Sequence, residues 1–556
     1  FAPRIGFRLP AAVSETVSGH VSSGDAPFYF APKPRWHSAC GGERMSTIKP
    51  GYGWTETLRR AQAAAPEAFD GVELRNLVGG DWRRTGEVTP HVLGIDGTVV
   101  PGPPRVDREI AALAVAHAVR EHTAWRAVPL EVRKSRVAAA IAGLRAEREL
   151  LATLLVWEIG KPWRLACADV DRALDGADWY LAEIDRQVAG RLPLAGPMSN
   201  IASWNYPMSV QVHAELVQLL AGNAVLAKTP SQGGFYALSV AHAILRRAEL
   251  PVTLLSGLGN EVGDPLIRGA GVGGIMFVGG RANGRRVATA MADTSRRYLL
   301  EQEGLNAWGI WEFSDWKMLE NILEKGFEYG KQRCTAYPRF VVQRRLLPEF
   351  LERYFAVIAR VRVGNPLRVE GPTDALPDLH FGPLIHREKV QELQRALAAP
   401  EAGSTLVRKS LNTSDFLENQ DMTAYMAPAC VLNPSATWAF RHREPFGPID
   451  SIVVVDSEEE LLAEMNLSNG ALVASIATDD RAFAERLRPE LRAFKVGVNV
   501  PRSRGDREEP FGGWGASWKG AFVGGDHLVH AVTRTADGTP EQLFGNFGDY
   551  ARLPVR

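Results

Sequence analysis

The chain has 556 residues, with 64 basic against 64 acidic side chains. That length exceeds what one hydrophobic core organises, so two or three domains are expected, and the balanced charge excludes a global field for nucleic acid or an anionic membrane. No apolar run approaches the roughly 20 residues needed to span a bilayer, and Cys40, Cys167, Cys334 and Cys430 stand far apart, without metal-ligand or disulfide-framework spacing. A cytoplasmic protein with a small-molecule partner is expected, with no nucleic acid, membrane or metal.

Taken in chain order, residues 1–44 carry scattered Pro, Gly, Ser and His without periodicity, and are expected to be disordered or a non-native extension ahead of a true start at Met45. From about 107 to 186, Ala-rich stretches place apolar residues at three- and four-residue spacing, which predicts packing helices. From residue 200 short apolar runs alternate with amphipathic stretches. The pattern predicts helices over 209–220, 235–246 and 283–292, and strands over 224–227, 252–255, 274–278 and 298–302. That rhythm implies a parallel sheet with right-handed crossovers. A second series, strand 307–313, helix 316–329, strand 339–343 and helix 347–361, predicts a second α/β domain.

Cys334 lies in Gly330-Lys331-Gln332-Arg333-Cys334-Thr335, downstream of Glu301 at the end of a predicted strand. Most lone intracellular cysteines are small buried apolar residues. As a nucleophile Cys334 must ionise, and a free thiol is only a few per cent thiolate at neutral pH; the flanking Lys331 and Arg333 are expected to lower its pKa. Attack on an aldehyde creates an oxyanion, and Asn205 is suited to receive it, although ahead of Pro207 it also reads as a helix N-cap. Hydrolysis of the resulting thioester needs a base. Glu301 fits that role; the alternatives are a solvated surface glutamate, or Glu303 as the base instead. Lys228 closes a strand where it reaches a nucleotide, and Gly279-Gly280-Arg281-Ala282-Asn283-Gly284 forms a Gly-rich turn that admits phosphate or is an ordinary tight turn.

Six segments stand in order between about Leu77 and Thr533: Trp204-Asn205-Tyr206-Pro207, Gly222-Asn223 through Lys228, Leu300-Glu301-Gln302-Glu303-Gly304-Leu305-Asn306, Gln332-Arg333-Cys334, Glu444-Pro445-Phe446-Gly447-Pro448 and Pro510-Phe511-Gly512-Gly513. Together they make the chain resemble the aldehyde dehydrogenase superfamily, as a divergent member. The resemblance implies an α/β fold with a Rossmann-type cofactor domain (45–299), an α/β catalytic domain (300–483), and a return to the cofactor domain with an oligomerisation segment and tail (484–556). It implies NAD(P)-dependent oxidation of an aldehyde, with Cys334 as nucleophile, Glu301 as base and Asn205 as oxyanion donor. Ser203, Trp204, Lys228, Ser231, Gly279, Gly280, Gly284, Glu444 and Phe446 would hold the nucleotide.

Departures from the family pattern carry further expectations. Phe277-Val278-Gly279-Gly280 lacks the hydroxyl of the family's Phe-Thr-Gly-Ser. Ser231 stands where NAD-selective relatives often carry glutamate, so NADP is expected to be accepted at least as readily as NAD. Only residues 187–199 are available for the hairpin that pairs subunits in the family, so a homodimer is expected and a tetramer built on that hairpin is not. Arg333 either pairs with a carboxylate-bearing aldehyde or faces away from it. A coenzyme A-acylating enzyme, which commonly lacks the base, and a degenerate binding or structural protein are the competing readings.

Overall fold

The computed structural model describes residues 46–541 apart from 293, 295, 399–404, 469, 504–506 and 540. The expectations for residues 1–44 and Met45 lie outside the described residues. Four helices, Arg108–Trp125, Leu130–Ala146, Arg148–Ile159 and Trp163–Gln187, fill the Ala-rich stretch. Asp107 caps the first by accepting the Ile110 amide at 2.9 Å. Gly160, with φ 69°, ends the third in the left-handed conformation that glycine adopts without penalty, and a Cβ there would lie 2.6 Å from Pro383.

An eight-stranded sheet forms the first domain, in the order Trp518–Gly520, Arg297–Gln302, Gly274–Gly279, Met198–Ile201, Val225–Lys228, Val252–Leu255, Asn76–Val78, Asp81–Arg83. The central five are parallel, and antiparallel strands close both edges. From Met198–Ile201 the chain winds outward through Val225–Lys228 and Val252–Leu255, then returns to the other side of its first strand at Gly274–Gly279. Connections therefore leave Met198–Ile201 and Gly274–Gly279 in opposite directions, and the crevice at their carboxyl ends is where such sheets bind ligands.

A seven-stranded sheet forms the second domain: Thr405–Arg408, Ala429–Leu432, Ile449–Val455, Arg339–Gln343, Ala307–Ile310, Val473–Ala477, Lys495–Val498, parallel except for the first. Sheet membership moves two expected boundaries. Arg297–Gln302 belongs wholly to the first sheet, so the passage between domains follows Gln302 rather than residue 299. Lys495–Val498 belongs to the second, so that domain runs past residue 483 before Trp518–Gly520 rejoins the first.

Three local expectations also change. The helix expected over 209–220 begins at Pro207 with a π turn, Pro207–Val212, and continues as His213–Leu220. The strand expected over 307–313 stops at Ile310, and the helix expected to reach residue 329 stops at Gly326. Beyond it Tyr329, Gly330 and Lys331 all take positive φ (59°, 59° and 57°). Tertiary contacts hold that bend: the Tyr329 amide donates to the His380 carbonyl at 2.8 Å, and its hydroxyl to the Ile159 carbonyl at 3.1 Å. In place of a local hairpin, Arg191–Pro193 pairs antiparallel with the distant Thr533–Thr535. Among the described residues no helix is long and apolar enough to cross a membrane.

Candidate active site

The crevice of the first sheet opens into a cleft of about 450 Å³ that the second domain closes from the other side. The loop after Met198–Ile201 contributes Ser203, Trp204, Asn205 and Tyr206; Lys228 and Ser231 come from the end of the next strand, Gly279 and Gly280 from the switch-point neighbour, and Glu301 from Arg297–Gln302. Cys334, His386, Lys389, Glu444 and Phe446 face them from the second domain. Of the catalytic and nucleotide-binding residues that the resemblance implies, Gly284 is the one that does not line the cleft. It packs on the sheet, where a Cβ would sit 2.4 Å from the Gln302 side chain, so its lack of a side chain has a packing cause.

Cys334 is partly exposed, whereas Cys167 and Cys430 are buried. Side-chain amides hold its loop. Asn306, fully buried at the end of the segment that follows Glu301, donates to the Cys334 carbonyl at 2.8 Å and the Ala336 carbonyl at 2.7 Å, and accepts from the Leu472 and Val473 amides, both at 3.1 Å. Gln332 accepts from the Ile385 amide at 3.0 Å, and its own carbonyl accepts from Asn205 Nδ2 at 3.0 Å. That bond ties Asn205 directly to the cysteine loop. The N-cap reading does not hold, since Tyr206 occupies the cap position and no side chain caps the turn.

The expected electrostatic activation by Lys331 is corrected. Its ammonium is buried, pairs with Asp450 Oδ1 at 2.6 Å and donates to the Tyr337 carbonyl at 3.1 Å, while Asp450 also accepts from the Tyr354 hydroxyl at 2.8 Å. Residue 331 takes positive φ, which turns its side chain into the second domain's interior. Burial pushes the Lys331 pKa down, an effect its pairing with Asp450 partly offsets. Arg333 donates to the Gly326 carbonyl at 3.1 Å, at the C-terminal end of Trp316–Gly326, and does not line the cleft.

Glu301 is 2% exposed, at odds with a solvated surface charge. Glu303 lies past the strand end, 3.5 Å from Arg281. Glu444 is buried, and neither of its oxygens has a hydrogen-bond partner in bonding geometry among the described residues. Burial first, then the charges of Glu303 and Glu301, push its pKa well above the usual carboxylate range, with Lys389 and the Gly304 amide acting in the opposite sense. Lys228 donates to the Thr229 carbonyl at 2.9 Å, and desolvation lowers its pKa to about 8. Phe446, at a positive φ of 49°, meets Trp204 edge to face at 5.9 Å.

Several contributors carry no sequence signal of their own. Behind the π turn, the buried Lys161 pairs with Asp169 at 2.8 Å and lies 3.8 Å over the Tyr206 ring, while Asp169 accepts the Ser209 amide at 2.9 Å. This pair fixes the turn that delivers Tyr206 and Val210 to the cleft. On the rim, Lys389 and Arg443 converge on Glu392 at 3.1 and 3.4 Å. A π turn beside a cleft is a recurrent mark of functional sites, yet nothing in the local spacing announces one.

Comparison with known proteins accords with this arrangement. The family model described as "Aldehyde dehydrogenase family" matches residues 82–537. The 1-pyrroline-5-carboxylate dehydrogenase of Bacillus subtilis (strain 168) is 25% identical over 461 residues, spanning 77% of this chain and 85% of that protein. The NADP-dependent glyceraldehyde-3-phosphate dehydrogenase of Bacillus halodurans C-125, solved with NADP, superposes with a TM-score of 0.75 at 24% identity, covering 83% of this chain and 98% of its own. The gamma-glutamyl-gamma-aminobutyraldehyde dehydrogenase of Burkholderia cenocepacia J2315 gives a TM-score of 0.74 at 23% identity, covering 86% and 98%. With two α/β sheets meeting at a shared cleft and a family match over most of its length, the chain belongs to the aldehyde dehydrogenase family of oxidoreductases.

Proposed function

We propose that the protein oxidises an aldehyde to its carboxylic acid with NADP or NAD, through a thioester on Cys334. The Cys334 thiolate adds to the carbonyl carbon, and the Asn205 side-chain amide donates its second N–H to the oxyanion; one such donor is typically worth about 2.7–4 kcal/mol. The bound nucleotide supplies the hydride acceptor that turns this adduct into a thioester. Glu301 then takes a proton from water as the oxygen attacks the acyl carbon, and the C–S bond breaks to return the thiolate and release the carboxylic acid, which gives its own proton to solvent.

The single observation that carries the proposal is the convergence of Cys334, Glu301 and Asn205 on one cleft. The cleft residues also suit a dinucleotide. Glu444 lines the cleft with a buried carboxyl suited to ribose hydroxyls, and a Cβ at Gly280 would meet only open space, leaving room for phosphate to approach the backbone. Lys228 would hold the second ribose and Phe446 would bound the nicotinamide. Ser231 places no carboxylate against a 2′-phosphate, which supports use of NADP. The buried Glu301 argues against coenzyme A acylation, because a base in the cleft directs the thioester to water.

A panel of aldehydes, with both nucleotides, wild type and Cys334→Ala, tests the proposal through nucleotide absorbance. Turnover confined to wild type is expected; turnover retained by Cys334→Ala overturns the mechanism, and a clear NAD preference overturns the nucleotide assignment.

A further inference from the structure

Past Ser231 the nucleotide cleft continues into a small pocket walled by a part of the chain outside the six family segments. Its polar lining consists of Thr89, His91, Arg105, Thr229, Ser231 and Ser256, with no carboxylate among the described residues. Thr229 follows Val225–Lys228 and Ser256 follows Val252–Leu255, two strands in parallel register with Lys228 opposite Leu255. Their hydroxyls meet at 2.7 Å, so the two strand ends present one polar edge.

Arg105 reaches this edge because its backbone is fixed on both sides. It exchanges backbone hydrogen bonds with Glu87 at 2.8 and 3.2 Å, and the adjoining Val106 amide donates to the Ser256 carbonyl at 2.9 Å. The guanidinium itself makes no ion pair and no side-chain hydrogen bond among the described residues, whereas nearby Arg108 pairs with Asp264 at 2.8 Å. Arg105 is exposed, and an arginine with no acidic partner that lines a pocket beside hydroxyls suits an anionic oxygen cluster. The pocket encloses about 30 Å³, which admits a few water-sized groups and neither a nucleobase nor an aldehyde chain.

We propose that Arg105 is a specificity-determining residue that binds the 2′-phosphate of NADP, with the Thr229, Ser231 and Ser256 hydroxyls completing the site. The proposal rests on reading the cleft as the nucleotide site. A phosphate monoester supplies two terminal oxygens that a guanidinium pairs with in bidentate fashion, and NAD offers this pocket only a neutral hydroxyl. Lysine at the same position would retain charge without the fork.

The test is calorimetric titration of wild type, Arg105→Gln and Arg105→Lys with 2′,5′-ADP, 5′-AMP and inorganic phosphate. Wild type is expected to bind 2′,5′-ADP more tightly than 5′-AMP. Arg105→Gln should weaken 2′,5′-ADP by about 10- to 100-fold, the value of a charge-assisted hydrogen bond, while leaving 5′-AMP unchanged; Arg105→Lys should fall between. Wild-type affinity for 2′,5′-ADP in Arg105→Gln, or equal losses for both nucleotides, overturns the assignment of Arg105 alone. Failure of wild type to prefer 2′,5′-ADP removes the NADP reading and this proposal with it. Arg105-dependent binding of inorganic phosphate without that preference assigns the pocket to a free anion and also overturns the proposal.

Discussion

Replacing Asn306 with alanine should disable the cysteine loop without touching a reacting atom. The side chain is fully buried and makes four hydrogen bonds of 2.7–3.1 Å, two donated to the Cys334 and Ala336 carbonyls and two accepted from the Leu472 and Val473 amides. At a net 0.5–1.5 kcal/mol each, their loss costs about 2–6 kcal/mol, with the upper half favoured because three of the four bonds are buried. The same loss releases the backbone that aims the thiol, and a misplacement near 1 Å costs about 100-fold in rate. Denaturant unfolding gives the first quantity, kcat the second, and nucleotide affinity, expected to stay near wild type, is the control. Asn306→Ala with an unchanged unfolding midpoint and an unchanged rate of Cys334 alkylation would refute this account of how the loop is held.

Lys331→Met leaves Asp450 as an unpaired buried charge and should cost about 3–5 kcal/mol, whereas Lys331→Met combined with Asp450→Leu should recover most of it; a shifted pH profile of Cys334 alkylation in the stable double variant would show that Lys331 acts on the thiol after all. Lys228, with its pKa lowered to about 8, is cationic below that pH and loses its charge as pH rises through it. KM for the nucleotide should therefore climb between pH 7 and 9 in wild type and lose that dependence in Lys228→Met; identical profiles in the two proteins would remove Lys228 from the nucleotide site. Light scattering should give the mass of a homodimer, because Arg191–Pro193 is already paired with Thr533–Thr535 within the chain; a tetramer contradicts this.

Sequence pattern located elements wherever short apolar runs decide structure locally. Val252–Leu255 and Arg339–Gln343 coincide with their expected spans, because a fully buried parallel strand is a continuous apolar run that turn residues interrupt. The approach to Cys334 was not legible, because the left-handed run at Tyr329, Gly330 and Lys331 is imposed by His380 and Ile159, far away in the chain. Adjacency misled at Lys331 for the same reason: its direction follows from a backbone angle and from Asp450, neither of which its neighbours encode. Gly284 shows the ambiguity of glycine, since a residue that packs against Gln302 and one that admits phosphate look alike in sequence. Asn306 stands in one of the six family segments, yet its tethering of the cysteine loop depends on partners distant in the chain, as does the Lys161–Asp169 pair behind the π turn. Domain boundaries slipped because Arg297–Gln302 completes the first sheet before the chain crosses over.

The central claim is that the acyl group passes through the sulfur of Cys334. Glu301→Gln should allow thioester formation and stall its hydrolysis, slowing turnover by about 10²- to 10⁴-fold. Acid quenching of that variant after one turnover, followed by peptide mass spectrometry, should find the Cys334 peptide heavier by the mass of the aldehyde less two hydrogens, and unmodified when Cys334→Ala is added. Turnover in wild type with no such adduct in Glu301→Gln, or an adduct on any other residue, would contradict the account.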